Sequence, residues 1–510
     1  MTRLVRNLAL LCAAAIAIST TTPATAQTKK KPPAKSTSSK KKPTTTARRV
    51  PIKLTAIIGA DIYTVSKGII RRGTIIIGND KIVAVGQNLR VPRGTKIIRA
   101  EGKYISPGFV TLTMSRVGLG FGANASRLKD GLNPFDRNIK LALASGITTG
   151  CSTIASGPTR RRGRNSAPRQ LTQKGAGFKR LNLFPGIDQA EQIQEIDLFV
   201  DGQGGDYTKI CKCCGLAYLP TEPPIRRPTR TTIRATRFVG LKMSYGSLDN
   251  MVLNESPFIA IGSRSLRGAT NRHAWRLSIK RAKKYVKDLA THAAAIKAGK
   301  KVRPPRKTVS DSLIKLVKKE IYLRTFAFTV DDIRDMIALA KELDYKVALD
   351  GAYEGWVIPQ ELGRARVPVI ITPRRRLNAT AGKEDRTGTS IESSGIFEKS
   401  GVSFAVTPLS TAISLNGLAG RDLTSLSLEA AFAVRGGASE KTSLASITLV
   451  PAQIMGVADR IGSIDAGKDA DILILNGPPL DYRTYVETAI VNGRVCYERA
   501  KDKLVPVFKR

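Results

Sequence analysis

The sequence predicts an α/β fold in which a parallel sheet built from βαβ units is flanked by β-rich chain ends. Three observations carry this. Apolar residues make up 42% of the 510, enough for a substantial core, which rules out wholesale disorder. Strands alternate with helices through the middle of the chain. Short strands bounded by turn residues recur at both ends, before residue 101 and after residue 470. The length allows about three domains, or one large barrel with a satellite.

The first residues read as an address. Arg3 and Arg6 form a positive start, Leu8 to Ile18 an apolar run, and Ala24-Thr25-Ala26 the small-x-small pattern of a signal peptidase site. The apolar run is shorter than the roughly 20 residues a membrane span needs, and no later stretch is long and apolar enough. The expectation is a signal peptide over 1–26 and an exported protein of the periplasm or cell envelope, or a secreted one. Residues 27–50 follow as a basic linker of Lys, Pro, Ser and Thr, too poor in apolar surface to offset the entropy of ordering.

Beyond the linker, Leu54 to Val65 is rich in Ile, Thr and Tyr, as a strand requires. Thr74 to Ile77 and Lys81 to Val85 are β-rich runs joined by the turn Gly78-Asn79-Asp80, and Lys96 to Ala100 adds a short strand. Leu141 to Ala144 closes a helix at Gly146, and Ile147-Thr148-Thr149 opens a strand. Phe326 to Phe328 is a strand whose following Thr329-x-x-Asp332 is a helix N-cap signal. Ile333, Met336, Ile337, Ala340 and Leu343 keep helical spacing before the strands Lys346 to Leu349 and Val367 to Ile371. Asp471 to Leu475 and Ala489 to Val491 return to short strands.

Charge is the strongest compositional signal: 84 Lys and Arg against 40 Asp and Glu give a net charge of +44. The excess is not confined to the linker. It recurs in Arg160-Arg161-Arg162-Gly163-Arg164, from Arg226 and Arg227 to Arg237, from Arg272 to Lys307, and in Arg374-Arg375-Arg376. A single run of this kind is ordinarily a solvated face. Together they offer contacts to a polyanion, an anionic envelope polymer or surface among them. No aromatic residues interleave the arginines of 160–164, 226–237 or 374–376, which argues against readout of single-stranded nucleic acid by those runs.

Two longer motifs carry a family resemblance. Gly102-Lys103-Tyr104-Ile105-Ser106-Pro107-Gly108-Phe109-Val110 resembles the segment leading into the barrel of the amidohydrolase superfamily. Asp459-Arg460-Ile461-Gly462-Ser463-Ile464-Asp465-Ala466-Gly467-Lys468-Asp469-Ala470-Asp471, followed by Val491-Asn492-Gly493-Arg494-Val495, resembles its C-terminal signature, in the imidazolonepropionase-like branch. The resemblance implies a (β/α)8 TIM-type barrel over 108–452. A small β-sandwich composite domain would be assembled from 51–107 and 453–510. It also implies a homo-oligomer, and chemistry at the C-terminal ends of the barrel strands, where zinc or another divalent metal activates water against a C–N bond.

The ligands that the resemblance implies are a His-x-His pair, sometimes a carboxylated Lys, two further histidines and an Asp. None stands at its slot. Thr113-Met114-Ser115 occupies the His-x-His slot, Phe326-Ala327-Phe328 a second histidine-bearing strand, Gly351 a third histidine position and Leu409 the last-strand Asp. The Lys slot falls near Phe258. The chain owns only two histidines, His273 and His292, both on a basic helix whose apolar stripe is Trp275, Ile279, Ala282, Val286, Leu289, Ala293 and Ile296. The hydroxyl, aromatic and aliphatic side chains now at these slots are poor zinc ligands.

Other chemistries find little support. Cys211, Cys213 and Cys214 lack a second Cys-x-x-Cys, so a disulfide within that loop or to a partner is expected over a metal, with Cys151 and Cys496 completing the mature set. Gly202-Gln203-Gly204-Gly205 lacks the Lys of a phosphate loop, and there is no Gly-x-Ser-x-Gly elbow. Asp331 and Asp332 suit a helix start better than an acid–base pair. The expectation is a degenerate, non-catalytic barrel with no cofactor, kept for binding or structure. Its rivals are a C–N hydrolase with an atypical ligand set and a small-molecule pocket lined by Phe326, Phe328 and Leu409.

Overall fold

A computed structural model of the chain describes residues 53–115, 117–120, 128–154, 235–262, 264–413, 422–502 and 504, and the backbone of four short strands between 178 and 220. The expected signal peptide and linker lie outside the described residues. So do Arg160, Arg161, Arg162, Arg226 and Arg227 and the side chains of Cys211, Cys213 and Cys214.

An eight-stranded sheet takes its strands from both chain ends. β1 (Leu54–Tyr63), β2 (Ile69–Gly78), β3 (Lys81–Gly86), β4 (Lys96–Arg99) and β5 (Tyr104–Pro107) come first, and β19 (Ile472–Leu475), β20 (Val486–Val491) and β21 (Arg494–Glu498) join them from the C-terminal end. The two ends meet where β19 pairs antiparallel with β5. The sheet buries a β-branched core in which Ile57, Ile75, Ile105, Ile472 and Ile490 pack together. The β2–β3 turn depends on Asn79 at φ +57°, a left-handed position that asparagine tolerates.

The second sheet is the barrel wall. It begins with β6 (Phe109–Met114) and β7 (Ile147–Ile154). The strands β8 (Phe178–Leu181), β9 (Ile193–Gln194), β10 (Lys209–Cys211) and β11 (Ala217–Pro220) intervene in sequence as a separate four-stranded antiparallel sheet. The wall resumes with β12 (Thr236–Lys242), which also pairs β13 (Val252–Asn254), then β14 (Phe258–Ile261), β15 (Tyr322–Ala327), β16 (Val347–Gly351), β17 (Val369–Ile371) and β18 (Phe404–Val406). The edges β18 and β6 are bridged by one segment. Val406 donates its N–H to Ser446 O (2.9 Å) and Val110 to Ile447 O (2.7 Å). The wall is therefore nearly closed, as a TIM-type barrel with an added β domain requires.

One strand breaks the all-parallel pattern. β12 runs antiparallel to both of its barrel neighbours, β7 and β14. Its register sets Lys242 against Thr149 near the start of β7, so the C-terminal end of β12 lies at the barrel floor and not at the mouth. Hydrophobic periodicity carries no strand direction, so the sequence offered no warning of this.

Helices cover the wall in chain order. α1 (Arg137–Ala144) is capped by Asp136; α2 (Arg264–Arg267), α3 (Ala269–Lys297) and α4 (Asp311–Val317) precede β15. α5 (Val330–Leu343) starts at Thr329, whose hydroxyl accepts the Asp332 N–H at 3.3 Å, as the capping signal predicts. α6 (Pro359–Ala365), α7 (Ser393–Lys399), α8 (Leu426–Arg435), α9 (Glu440–Ala445) and α10 (Leu449–Ile454) follow. Along β15 and β16 the side chains alternate. Leu323, Val347 and Leu349 join the large outer cluster under the helices, whereas Ala348 joins Leu112, Cys151, Phe238, Phe258 and Ala405 in the lumen cluster. The expected α3 stripe needs correction: Trp275, Ile279 and Ala282 are buried, but Ile296 is 55% exposed, because the helix outruns the elements it packs on. Among the described residues no helix is long and apolar enough to cross a membrane.

Candidate functional site at the barrel mouth

The C-terminal ends of the parallel strands define the mouth, and below it lies a buried ion pair. Arg324, on β15, is buried. Its Nε donates to Asp350 Oδ2 on β16 at 2.9 Å, and its Nη1 donates across the lumen to Leu112 O on β6 at 2.8 Å. Two rings support the guanidinium, Phe258 at 5.3 Å and Phe238 at 5.7 Å, themselves 4.8 Å apart. A permanently charged, planar group, each of its three nitrogens donating to a protein acceptor, thus spans the barrel from strand to strand.

Above this pair lie hydroxyls and aromatics. Ser115, just past β6, donates its N–H to Thr411 O at 2.8 Å, and the two hydroxyls stand 3.2 Å apart. Thr372 and Thr407, past the tips of β17 and β18, pair their hydroxyls at 3.2 Å. The Thr113 hydroxyl is buried without a hydrogen-bond partner. Phe326 and Phe328 lie 6.0 Å apart, and Phe328 stacks on Tyr353 at 5.2 Å. Burial pushes the Tyr353 hydroxyl above its ordinary range, with the nearby Arg375 drawing it back only in part. Gly351 has φ +95°, and a Cβ built there would stand 2.5 Å from the Phe328 ring. Any side chain at that slot, a histidine included, would displace the aromatic ring.

The structure therefore gathers Thr113, Ser115, Phe326, Phe328 and Gly351 at one end of the barrel. Leu409 is 39% exposed on the segment that brings Thr411 to Ser115. Phe258 does not join them. It sits at the start of β14, opposite Tyr322, and packs on the lumen side beneath the guanidinium. Arg324, Asp350 and Lys242 are the residues that sequence reasoning missed. Their only signal was a charge inside an otherwise apolar strand, as in Tyr322-Leu323-Arg324-Thr325-Phe326.

Donor chemistry at the mouth does not fit a catalytic divalent metal. The strand tips offer hydroxyls, rings and a glycine, and the carboxylate of Asp350 is already committed to a guanidinium. Among the described residues no group of three or more His, Cys, Asp and Glu is placed to hold an ion. Both histidines lie on α3, on the outside of the barrel, where His292 Nε2 is 3.1 Å from Val302 O. Cys151 and Cys496 are buried free thiols, each pushed up by burial. Of the described basic run, Arg374 is tied to buried Glu429 at 2.8 Å, so it is not a free polyanion contact, whereas Arg375 and Arg376 are exposed.

Comparison with known proteins agrees with this fold. Residues 399–496 match the model of the amidohydrolase family. The amidohydrolase tasK of Hapsidospora irregularis is 26% identical over 168 residues, which cover 32% of this chain but only 16% of that protein's length. An amidohydrolase from Thermotoga maritima superimposes with a TM-score of 0.55 at 21% identity, covering 87% of this chain and 100% of that one.

Proposed function

From the premise that the chain carries an amidohydrolase family domain on an amidohydrolase-type barrel, we propose that it has given up metal-dependent hydrolysis and serves as a binding or structural protein of the cell envelope. The observation that carries this is Arg324, paired with Asp350 on the neighbouring strand and bonded across the lumen to Leu112 O, with Phe328 filling the space that a Gly351 side chain would need. A water-activating cation requires convergent imidazole, thiolate or carboxylate donors, and among the described residues no group of three or more such side chains converges to hold one. The test is metal content and turnover of the purified full chain after zinc loading and dialysis. The expected result is sub-stoichiometric metal and no hydrolysis of cyclic amides. A stoichiometric divalent ion with chelator-sensitive turnover would overturn the proposal in favour of a hydrolase with an atypical ligand set.

The leader-like N-terminus supports export, and the charge of +44 supports an anionic polymer or surface as the partner. Retention on heparin should fall steeply with salt if several cations release counterions on binding. A flat salt dependence removes the polyanion from the proposal and leaves the barrel reading intact.

A further inference from the structure

A second concavity, away from the barrel mouth, has a clearer chemical character. Helix α8 is apolar on two faces. Leu426, Ala430 and Ala433 are buried against the barrel. Leu428, Ala431, Phe432 and Arg435, spaced at i, i+3, i+4 and i+7, line the other side and face a groove of about 890 Å³. Leu428, Ala431 and Phe432 thus form a second apolar stripe that nothing in the chain covers among the described residues, a surface suited to an apolar occupant. The opposite wall is Tyr63, Ile69, Pro478, Leu480 and Tyr482, with Ile69 44% and Tyr482 82% exposed.

The wall is preformed. The Phe432 ring is held by the Arg374 guanidinium 5.3 Å from its centroid, and Arg374 is itself anchored by Glu429, whose side chain is fully buried. The volume lies within the range of sites that enclose small molecules. The rim adds a sign. Asp481 and Arg483 neutralise each other at 2.7 Å, Glu440 contributes one negative charge, and Arg435 and Lys441 contribute two positive charges without ion-pair partners among the described residues.

We propose that this groove binds a single-chain anionic amphiphile, with the apolar body laid along Leu428, Ala431 and Phe432 and the headgroup at Arg435 and Lys441. Apolar walls supply the affinity, and the two cations select against a positive headgroup.

Calorimetric titration of the full chain with decanoate, decyltrimethylammonium and decyl maltoside, each below its micellar concentration, tests this. Decanoate should bind stoichiometrically and about tenfold more tightly than decyltrimethylammonium, since the one net positive charge at the rim attracts the first headgroup and repels the second. Ala431→Trp should abolish decanoate binding without lowering the thermal midpoint. Should that variant misfold, Ile69→Trp fills the groove from an exposed position on the other wall. Arg435→Glu with Lys441→Glu should erase the preference for the anion. Decanoate binding that survives both tryptophan variants overturns the proposal, as does equal binding of the two charged amphiphiles. An Ala431→Trp protein whose particle mass halves would also overturn it, by showing that a second copy of the chain covers the groove.

Discussion

Replacing Lys242 with Met is the most demanding test of how the barrel is fastened to the sheet built from the chain ends. Lys242 is fully buried. Its Nζ donates to Asp469 Oδ2 at 2.7 Å and to Asn492 Oδ1 at 2.6 Å, and lies 2.9 Å from Asp471 Oδ2 as a charge contact without hydrogen-bond geometry. Asp469 keeps Arg460 at 2.8 Å and Lys81 when the lysine is lost. Asp471 retains the Asn492 N–H at 2.9 Å but no cation. The change therefore leaves a buried carboxylate without its counter-charge, which costs about 3–5 kcal/mol. Urea unfolding, read with an unchanged slope, should report a loss of that size. Adding Asp471→Asn should recover about 1–3 kcal/mol of it, since the two sites share one network. Acid titration adds a second readout. Burial raises the Asp469 carboxyl, but the hydrogen bond and charge of Lys242, with Lys81 and Arg460, outweigh it and hold the group below its ordinary value. Such a carboxyl contributes stability that is present above about pH 4 and is lost as the pH falls through the lower folded value. The variant should therefore show a shallower loss of stability below pH 4 than the parent. A Lys242→Met cost under about 1 kcal/mol, with an unaltered acid limb, would refute the reasoning.

Three further outcomes follow from the lumen and its surroundings. Arg324→Met should cost about 3 kcal/mol or more in chemical unfolding by stranding Asp350, whereas Arg324→Met with Asp350→Leu should regain most of it; equal losses would mean that the pair is not coupled. Gly351→Ala should cost about 2 kcal/mol or more, from positive φ and the Phe328 clash together, and Phe328→Ala should relieve only the clash. At pH 8 the Cys151 and Cys496 peptides should escape alkylation in the native protein and react after unfolding, because burial raises both thiols; native labelling at Cys151 would contradict a packed lumen.

Much of the architecture was legible wherever local chemistry decides the outcome. The Gly78-Asn79-Asp80 turn, the Thr329 cap and the strand–helix–strand alternation through 326–349 correspond to β2–β3, the start of α5 and the β15–α5–β16 unit, although β15 runs from Tyr322 to Ala327 and leaves Phe328 outside it. Local chemistry failed where a partner lies far along the chain. Lys242 and Asp469 are 227 residues apart and Arg324 and Leu112 are 212 apart, so neither contact leaves a trace in a sequence window. The reversal of β12 was invisible for a related reason: pairing direction is a property of two strands, and each looks the same read singly. The half-exposed end of α3 shows the limit of periodicity, which marks an apolar face without saying whether anything covers it.

The reversed β12 also bears on the order in which the molecule can be completed during synthesis. By pointing its last residue at the floor, the strand ties a mid-chain lysine to acids that leave the ribosome more than two hundred residues later. Until then the lysine has no counter-ion, and β5 has no β19 to pair with. A nascent chain ending before Asp469 should accordingly stay protease-sensitive throughout the barrel, and one that has released Asp469 through β19 should resist. Closure of this fold thus waits for the segment from Asp469 through β19 and is not a matter of gradual growth.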